Sequence, residues 1–533
     1  MKRRFAAVLA LLAALAFPTV MLGDAGVGPG GDVPGTAENF VLVGHDPLFN
    51  RGMNAALALY ADPASGRSYA YIGNRTDGGK PNHIHPGILV DDITNPSSPT
   101  VVNEIGPPFA GLPGITTREL RVWPEKKLLM VMTFRCSAVL HDCVAPDPRD
   151  PRPADVQFPF DIKFFRLDDP VHPQFIESYV PTSQAGQAVK PHEMFLWVDP
   201  KDDDRALLWL STPSSSTNPK RPQLMIVDIS AVPAGGPVRE VAEGNWNNQF
   251  EFGGNPANFD FDLAVHSMGV NLTGFVTHLA YLRGEELELD TTKVAKNEVP
   301  FGVVEDLNDD LLTPPANRVR WGAGDNCPGH TSLGCSESHS SIQVPGPGKP
   351  LVYNIDEVYG TYTDPSHGWP WGWARLIDVS DPAHPTIIGE YKQARNTEAG
   401  ASSDPATQAF TSYSSHNPTV FRPLVLNAWH SAGLQAVDIS DPTRPRQAGW
   451  FSPTPLPAVA TEDPALGRGP NKVIFWSYPI VKNGLIYVID VRNGLYVLKY
   501  TGRHKGVVQG AKFREGNSDI GVTGNTLNND NGR

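Results

Sequence analysis

Cysteine is scarce: Cys136, Cys143, Cys327 and Cys335 are the four in 533 residues. So few thiols exclude a cysteine-stapled scaffold, and the sequence has neither a C-x-x-C pair nor a G-x-S-x-G elbow. Basic residues are in deficit, 44 against 57 acidic, for a formal net charge of −13, which argues against nucleic acid as a partner. Long apolar runs are missing too. After residue 25 no stretch reaches the ~18 residues that a membrane span needs, so no transmembrane segment is expected.

The chain starts Met1, Lys2, Arg3, Arg4 and continues apolar from Phe5 to about Phe17, followed by Pro18 and small residues. A positive start, a short apolar core and a small-residue exit predict a signal peptide over 1–25 and a secreted or periplasmic protein. Export favours two local disulfides, Cys136 with Cys143 and Cys327 with Cys335. The rival reading is metal binding, with His141 inside the first pair and Cys327, His330, Cys335 and His339 spaced like a zinc knuckle. Gly26, Gly28 and Gly31 fit G-x-G-x-x-G by accident, since no helix follows, and 26–38 reads as a flexible spacer.

Abundant in this sequence are Gly (50) and Pro (51), set among Val, Ile, Leu and aromatic residues. That mixture suits short strands and tight turns. Residues 88–105 read ILVDDITNPSSPTVVNEI, 374–391 ARLIDVSDPAHPTIIGEY and 434–451 LQAVDISDPTRPRQAGWF, and 162–179 and 224–243 follow the same plan. Each is a strand, a turn built on Asp and spaced prolines, and a second strand. Two further strand-like runs separate these hairpins, as in MFLWVDP and ALLWLST at 194–212. Four strands every fifty to eighty residues predict an all-β, seven-bladed β-propeller over 39–502, followed by a polar, disordered tail over 503–533. The last blade has three strands of its own, so residues 39–47 are expected to supply its fourth and close the ring.

The DISDP-type hairpins with their preceding apolar strand resemble the LVIVD-repeat family of exported β-propellers over roughly residues 39–502. The resemblance implies the fold and no single activity. A more distant, architectural likeness is to the selenium-binding protein and methanethiol oxidase group, whose seven-bladed propellers hold copper through histidines.

Aligning the repeats at their first strands puts His192, His266, His339 and His416 at one equivalent position. First strands line a propeller's channel, so four imidazoles are expected on one ring about the axis. Imidazole suits copper, iron or zinc, with copper or iron favoured here. The ring resembles the four-His iron site of carotenoid-cleaving oxygenases, though their surrounding motifs are absent. The plain alternative is that each His ties its blade to the next.

Arg118 and Glu119 stand at the matching place in another repeat, and Glu193 follows His192. The two carboxylates are candidates for orienting ligands or moving a proton, although strand alternation can instead turn Glu193 between blades. Turns on the same rim carry Arg75, Arg135, Arg283, Glu357, His430 and Arg492, which would bind an anionic substrate or remain solvated. His83 and His85 read as solvent-facing. The sequence thus supports an exported metalloprotein doing oxidative chemistry on a small substrate, and alternatively a non-catalytic propeller that binds a surface protein or glycan.

Overall fold

Aspartate at the end of a third strand sets the turn that follows. Oδ1 of Asp92, Asp228, Asp378 and Asp438 accepts the backbone N–H two residues on, at 2.9, 2.9, 3.0 and 2.9 Å. Asp381 and Asp441 repeat the device three residues later at 3.1 Å each. Proline then fixes φ and brings the chain back antiparallel. The returning strand carries a register shift at the same place each time, between Val90/Asp91, Phe164/Phe165, Ile226/Val227, Leu376/Ile377 and Ala436/Val437. Such bulges add twist and bend the outer strand.

The computed structural model describes residues 26–28, 34–137, 141–144, 160–212, 221–246, 265–281, 285–320, 338–357, 372–393, 414–463 and 472–520. The signal-peptide reading, Arg283 and the Cys327–Cys335 pair lie outside the described residues. Within them the chain is all-β, with helix confined to short turns such as Thr292–Ala295 and Lys505–Gln509. Four-stranded antiparallel meanders occupy 54–105, 115–179, 193–244, 338–393 and 418–452. The first two join in one sheet through the Asn74–Thr117 pair. Between 265 and 290 three strands are joined by the short Val319–Arg320. The last three, Ile480–Lys482, Leu485–Asp490 and Gly494–Tyr500, receive Phe40–Asp46 beside Gly494–Tyr500, in register from Phe40↔Tyr500 to Asp46↔Leu495. No helix among the described residues is long and apolar enough to cross a membrane.

Strands alternate their side chains, so each sheet buries both faces against its neighbours. Phe195, Trp197, Trp209, Leu279 and Leu287 fill one such gap, Met132, Phe164, Leu196 and Leu208 another, and Phe451, Phe475, Val488 and Tyr496 a third. The gap between 265–290 and 338–393 differs. Among the described residues its apolar part is small, Val352, Ile377 and Val379 with half-buried Val319 and Ile387 against them, and buried His278 stands nearby with Glu286 at 3.2 Å and Glu288 at 4.0 Å.

Three expectations are corrected. The stretch read as a spacer pairs with sheet edges: Gly26–Gly28 runs parallel to Tyr391–Gln393, and Thr36–Glu38 antiparallel to Trp450–Ser452. The stretch read as a disordered tail is packed as far as Ile520, because Phe513–Arg514 adds a strand and Asn517, Ser518 and Asp519 are buried. His83 is buried, not solvent-facing, its Nδ1 3.0 Å from Asp77 and its Nε2 3.2 Å from Asp142. Cys136 and Cys143 are disulfide-bonded with Cα atoms 6.1 Å apart, which removes the metal reading of that pair.

Phe40 is buried with its ring 5.1 Å from that of Tyr500. Phe40→Ala should destabilise the protein by about 3 kcal/mol, as large-to-small core changes do, and lower the urea midpoint. An unchanged midpoint would mean that the Phe40–Asp46 strand does not hold the sheets together.

Candidate metal centre

A second set of bulges, in the first strands, selects which residues leave the ladder. Register shifts fall between Thr117/Glu119, Val265/Ser267 and Ser338/Ser340, and the residues left unpaired are Arg118, His266 and His339. A bulge re-aims its extra side chain. Serines next to these positions tie one sheet to the next: Ser211 Oγ donates to the carbonyl of His266 at 2.7 Å, Ser267 Oγ to that of His339, and Ser340 Oγ to Asn417 Oδ1 at 2.8 Å.

The imidazoles therefore stand side by side. Ring centroids are 4.6 Å apart for His192 and His266, 3.9 Å for His266 and His339, 4.0 Å for His339 and His416, and 5.4 Å for His416 and His430. His192 Nε2 lies 3.1 Å from His266 Nε2. Two carboxylates enter the row. Glu357 Oε1 is 3.2 Å from Nε2 of both His416 and His430, and its Oε2 is 3.4 Å from His339 Nε2. Glu193 Oε1 approaches the same His339 nitrogen at 3.8 Å. Two overlapping ligand sets result, Glu193–His266–His339 and His339–Glu357–His416, each with its ligand atoms within 4.8 Å of one another.

His339 belongs to both sets but has one nitrogen to give. Ser340 Oγ spends its hydrogen on Asn417, so at 2.9 Å it accepts from His339 Nδ1–H. Nε2 is left as a bare lone pair facing Glu357 and Glu193. A lone pair opposite carboxylate oxygens is unfavourable unless a proton or a metal cation lies between them.

Burial shapes the charges. It holds His192 and His339 well below the ordinary imidazole range, the neighbouring histidines adding to the effect, and brings His266 down to about 4 and His416 to about 3. Burial, with Glu119 alongside, pushes Glu193 well above the usual carboxylate range. For Glu357 burial opposes ionisation, but His416 and His339 beside it hold its carboxyl well below that range. Burial thus disfavours imidazolium in the cluster, while Glu357 is favoured as an anion to the extent that His416 and His339 beside it carry charge or donate a hydrogen bond to it.

The remaining residues singled out from sequence divide. Glu357 and His430, expected as rim groups for substrate, are buried members of the cluster. Arg75 and Arg492 are buried as well and are corrected as rim groups: Arg75 stacks 3.7 Å over the Trp476 ring, and Arg492 is engaged by Glu462 at 2.8 Å through two nitrogens. Glu119 pairs with Arg121 at 3.1 Å. Half-buried Arg118 lies 5.0 Å over the Phe134 ring, and Arg135 ends its strand half-buried. Trp476, against which His416 and His430 pack at 5.3 and 5.1 Å, had no repeat signal to mark it.

Residues 375–393 and 428–451 match the LVIVD repeat family, so the chain carries LVIVD repeats on an all-β, propeller-like fold. Among solved structures it is similar to Sqt1 from Chaetomium thermophilum, with a TM-score of 0.43 and 12% identity over 87% of this chain and 99% of that one. A chain of the COPII outer coat vertex on membranes gives a TM-score of 0.41 and 8% identity over 84% of each chain. No curated protein matches.

The depressed histidines set a pH dependence. An unfolded histidine titrates near 6.5, above the folded values of about 4 for His266 and about 3 for His416. Below pH 6.5 the unfolded chain therefore gains protons that the native state refuses, and stability falls until the folded values are reached. Metal-free protein should lose roughly 2 kcal/mol per such histidine between pH 7 and pH 5 in urea titrations, and His416→Asn should reduce that loss. An equal loss in the variant would place the pH dependence elsewhere.

Proposed function

We propose that the chain is a seven-bladed β-propeller, closed by Phe40–Asp46 beside Gly494–Tyr500, that holds one transition-metal ion in its axial cluster and performs oxidative chemistry on a small substrate. The observation that carries this reading is the bare Nε2 of His339 facing Glu357 and Glu193. Because His339 gives a single nitrogen, the two ligand sets describe one ion, held by His266, His339, His416 and Glu357 with Glu193 as a further oxygen donor. Imidazole nitrogen with carboxylate oxygen suits copper, iron or zinc. Copper or iron, when bound, would supply one-electron chemistry. His192, beside His266, and His430, beside Glu357, support the ligands from outside.

Substrate reaches the ion from the rim where the first strands start. With Arg75 and Arg492 engaged elsewhere, half-buried Arg118 and Arg135 are the described cations that support an anionic substrate, since a guanidinium matches a planar acid. Export is supported by the positively charged, then apolar, start of the chain and by the Cys136–Cys143 disulfide.

Metal analysis of tag-free protein is the test. Wild type should retain one copper, iron or zinc ion per chain, and His339→Ala should lose it while keeping its far-UV circular dichroism, since the large apolar clusters between the sheets do not include that side chain. Wild type that takes up none of the three metals would return the histidines to a role as ties between sheets and leave the chain a non-catalytic protein- or glycan-binding propeller.

A further inference from the structure

The segment after the last repeat crosses the ring. Phe513–Arg514 pairs with Val481–Lys482, and Arg514 Nε donates to the carbonyl of Val420 at 2.7 Å. Gly516 then passes so close to Pro418 that a Cβ would lie 2.2 Å from its carbonyl oxygen, so no other residue fits. The next residues reach the strand Glu193–Val198, three repeats away. There the Asn517 carbonyl accepts from Leu196 N–H at 3.2 Å and Arg121 Nε at 3.1 Å, Asp519 N–H donates to the Leu196 carbonyl at 3.1 Å, and Asp519 Oδ1 accepts from Val198 N–H at 2.9 Å. Contacts to opposite sides of a ring mean that the segment spans its channel. Toward the far ends of the inner strands it borders a cavity of about 230 Å³ lined by Val270, Gln343, Val420 and Asp519. Toward the histidines it presents Asn517, whose Nδ2 donates to Glu193 Oε2 at 2.9 Å.

We propose that Asn517 is a positioning residue of the metal centre, pinning one oxygen of Glu193 so that the other faces the ion shared with His339. A carboxylate buried without such a donor is free to turn about its last torsion; a hydrogen bond to Oε2 fixes its plane and leaves Oε1 directed at His339. The backbone of the same segment is held by Leu196 and Arg121, so the amide is fixed at both ends. This inference rests on the metal reading and adds to it a residue that no repeat contains.

The test uses the full chain and cobalt(II) as probe, with affinity from titration and ligand geometry from the visible absorption bands. Asn517→Asp keeps the shape and removes the donor, and Asn517→Leu does the same without adding charge. Either should bind cobalt 10–100-fold more weakly with altered bands and unchanged far-UV circular dichroism, the range seen when a group orienting a ligand is lost. If Asn517 acts through Glu193, adding Asn517→Leu to Glu193→Gln should cost nothing further. Wild-type affinity and bands in a folded Asn517 variant, or losses that add in the double variant, would overturn the positioning role and leave the metal reading standing. Wild type that binds no cobalt would overturn both.

Discussion

The lone pair on His339 Nε2 is the constraint around which the centre is arranged. It is fixed by a relay in which His339 Nδ1–H donates to Ser340, Ser340 donates to Asn417, and Asn417 belongs to the next repeat. Because that relay runs between sheets, the imidazole cannot change tautomer without breaking a contact that also aligns the sheets. Burial disfavours charge on these imidazoles, and the buried Glu357 carboxyl is set among His339, His416 and His430. Buried charge is costly unless it is paired or coordinates a metal.

The fold delivers this arrangement with repeated devices. Bulges turn Arg118, His266 and His339 out of their ladders, and Ser267 and Ser340, one position after the two histidines, bind the His339 carbonyl and the Asn417 side chain of the next repeat, so adjacent repeats are held at imidazole contact distance. Large apolar clusters in the other gaps leave the row of histidines free to be polar. The gap with the smallest apolar cluster, Val352, Ile377 and Val379, is the one that carries His278, Glu286 and Glu288, and Glu288 is pushed up to about 7 by burial and by Glu286.

Much of this was legible because a repeat writes the same chemistry several times. The Asp-Pro turns marked the hairpins, and alignment of first strands put His192, His266, His339 and His416 at one position; the imidazoles do lie side by side. What escaped was whatever occurs once. Strict alternation left the direction of Glu193 open, and the bulges in the neighbouring first strands, not a periodic pattern, bring His266 and His339 to meet it. Glu357 and His430 come directly after the second strands Leu351–Asp356 and Leu424–Trp429, where turns begin, which made them look like rim charges. Asn517 and Gly516 lie in a Gly- and Asn-rich stretch that composition reads as disordered, yet the Asn517 carbonyl accepts from Leu196 and Arg121. Composition gives no sign of a segment that is ordered by contacts with distant repeats.

Neutron diffraction from crystals of the metal-loaded protein tests the central claim most directly, because it sees the hydrogens on His339. The account requires deuterium on Nδ1, directed at Ser340, and none on Nε2, with the ion on that nitrogen. Deuterium on Nε2 pointing at Glu357 would contradict it, since the lone pair would then be spent and the row of histidines would be a hydrogen-bonded tie between sheets.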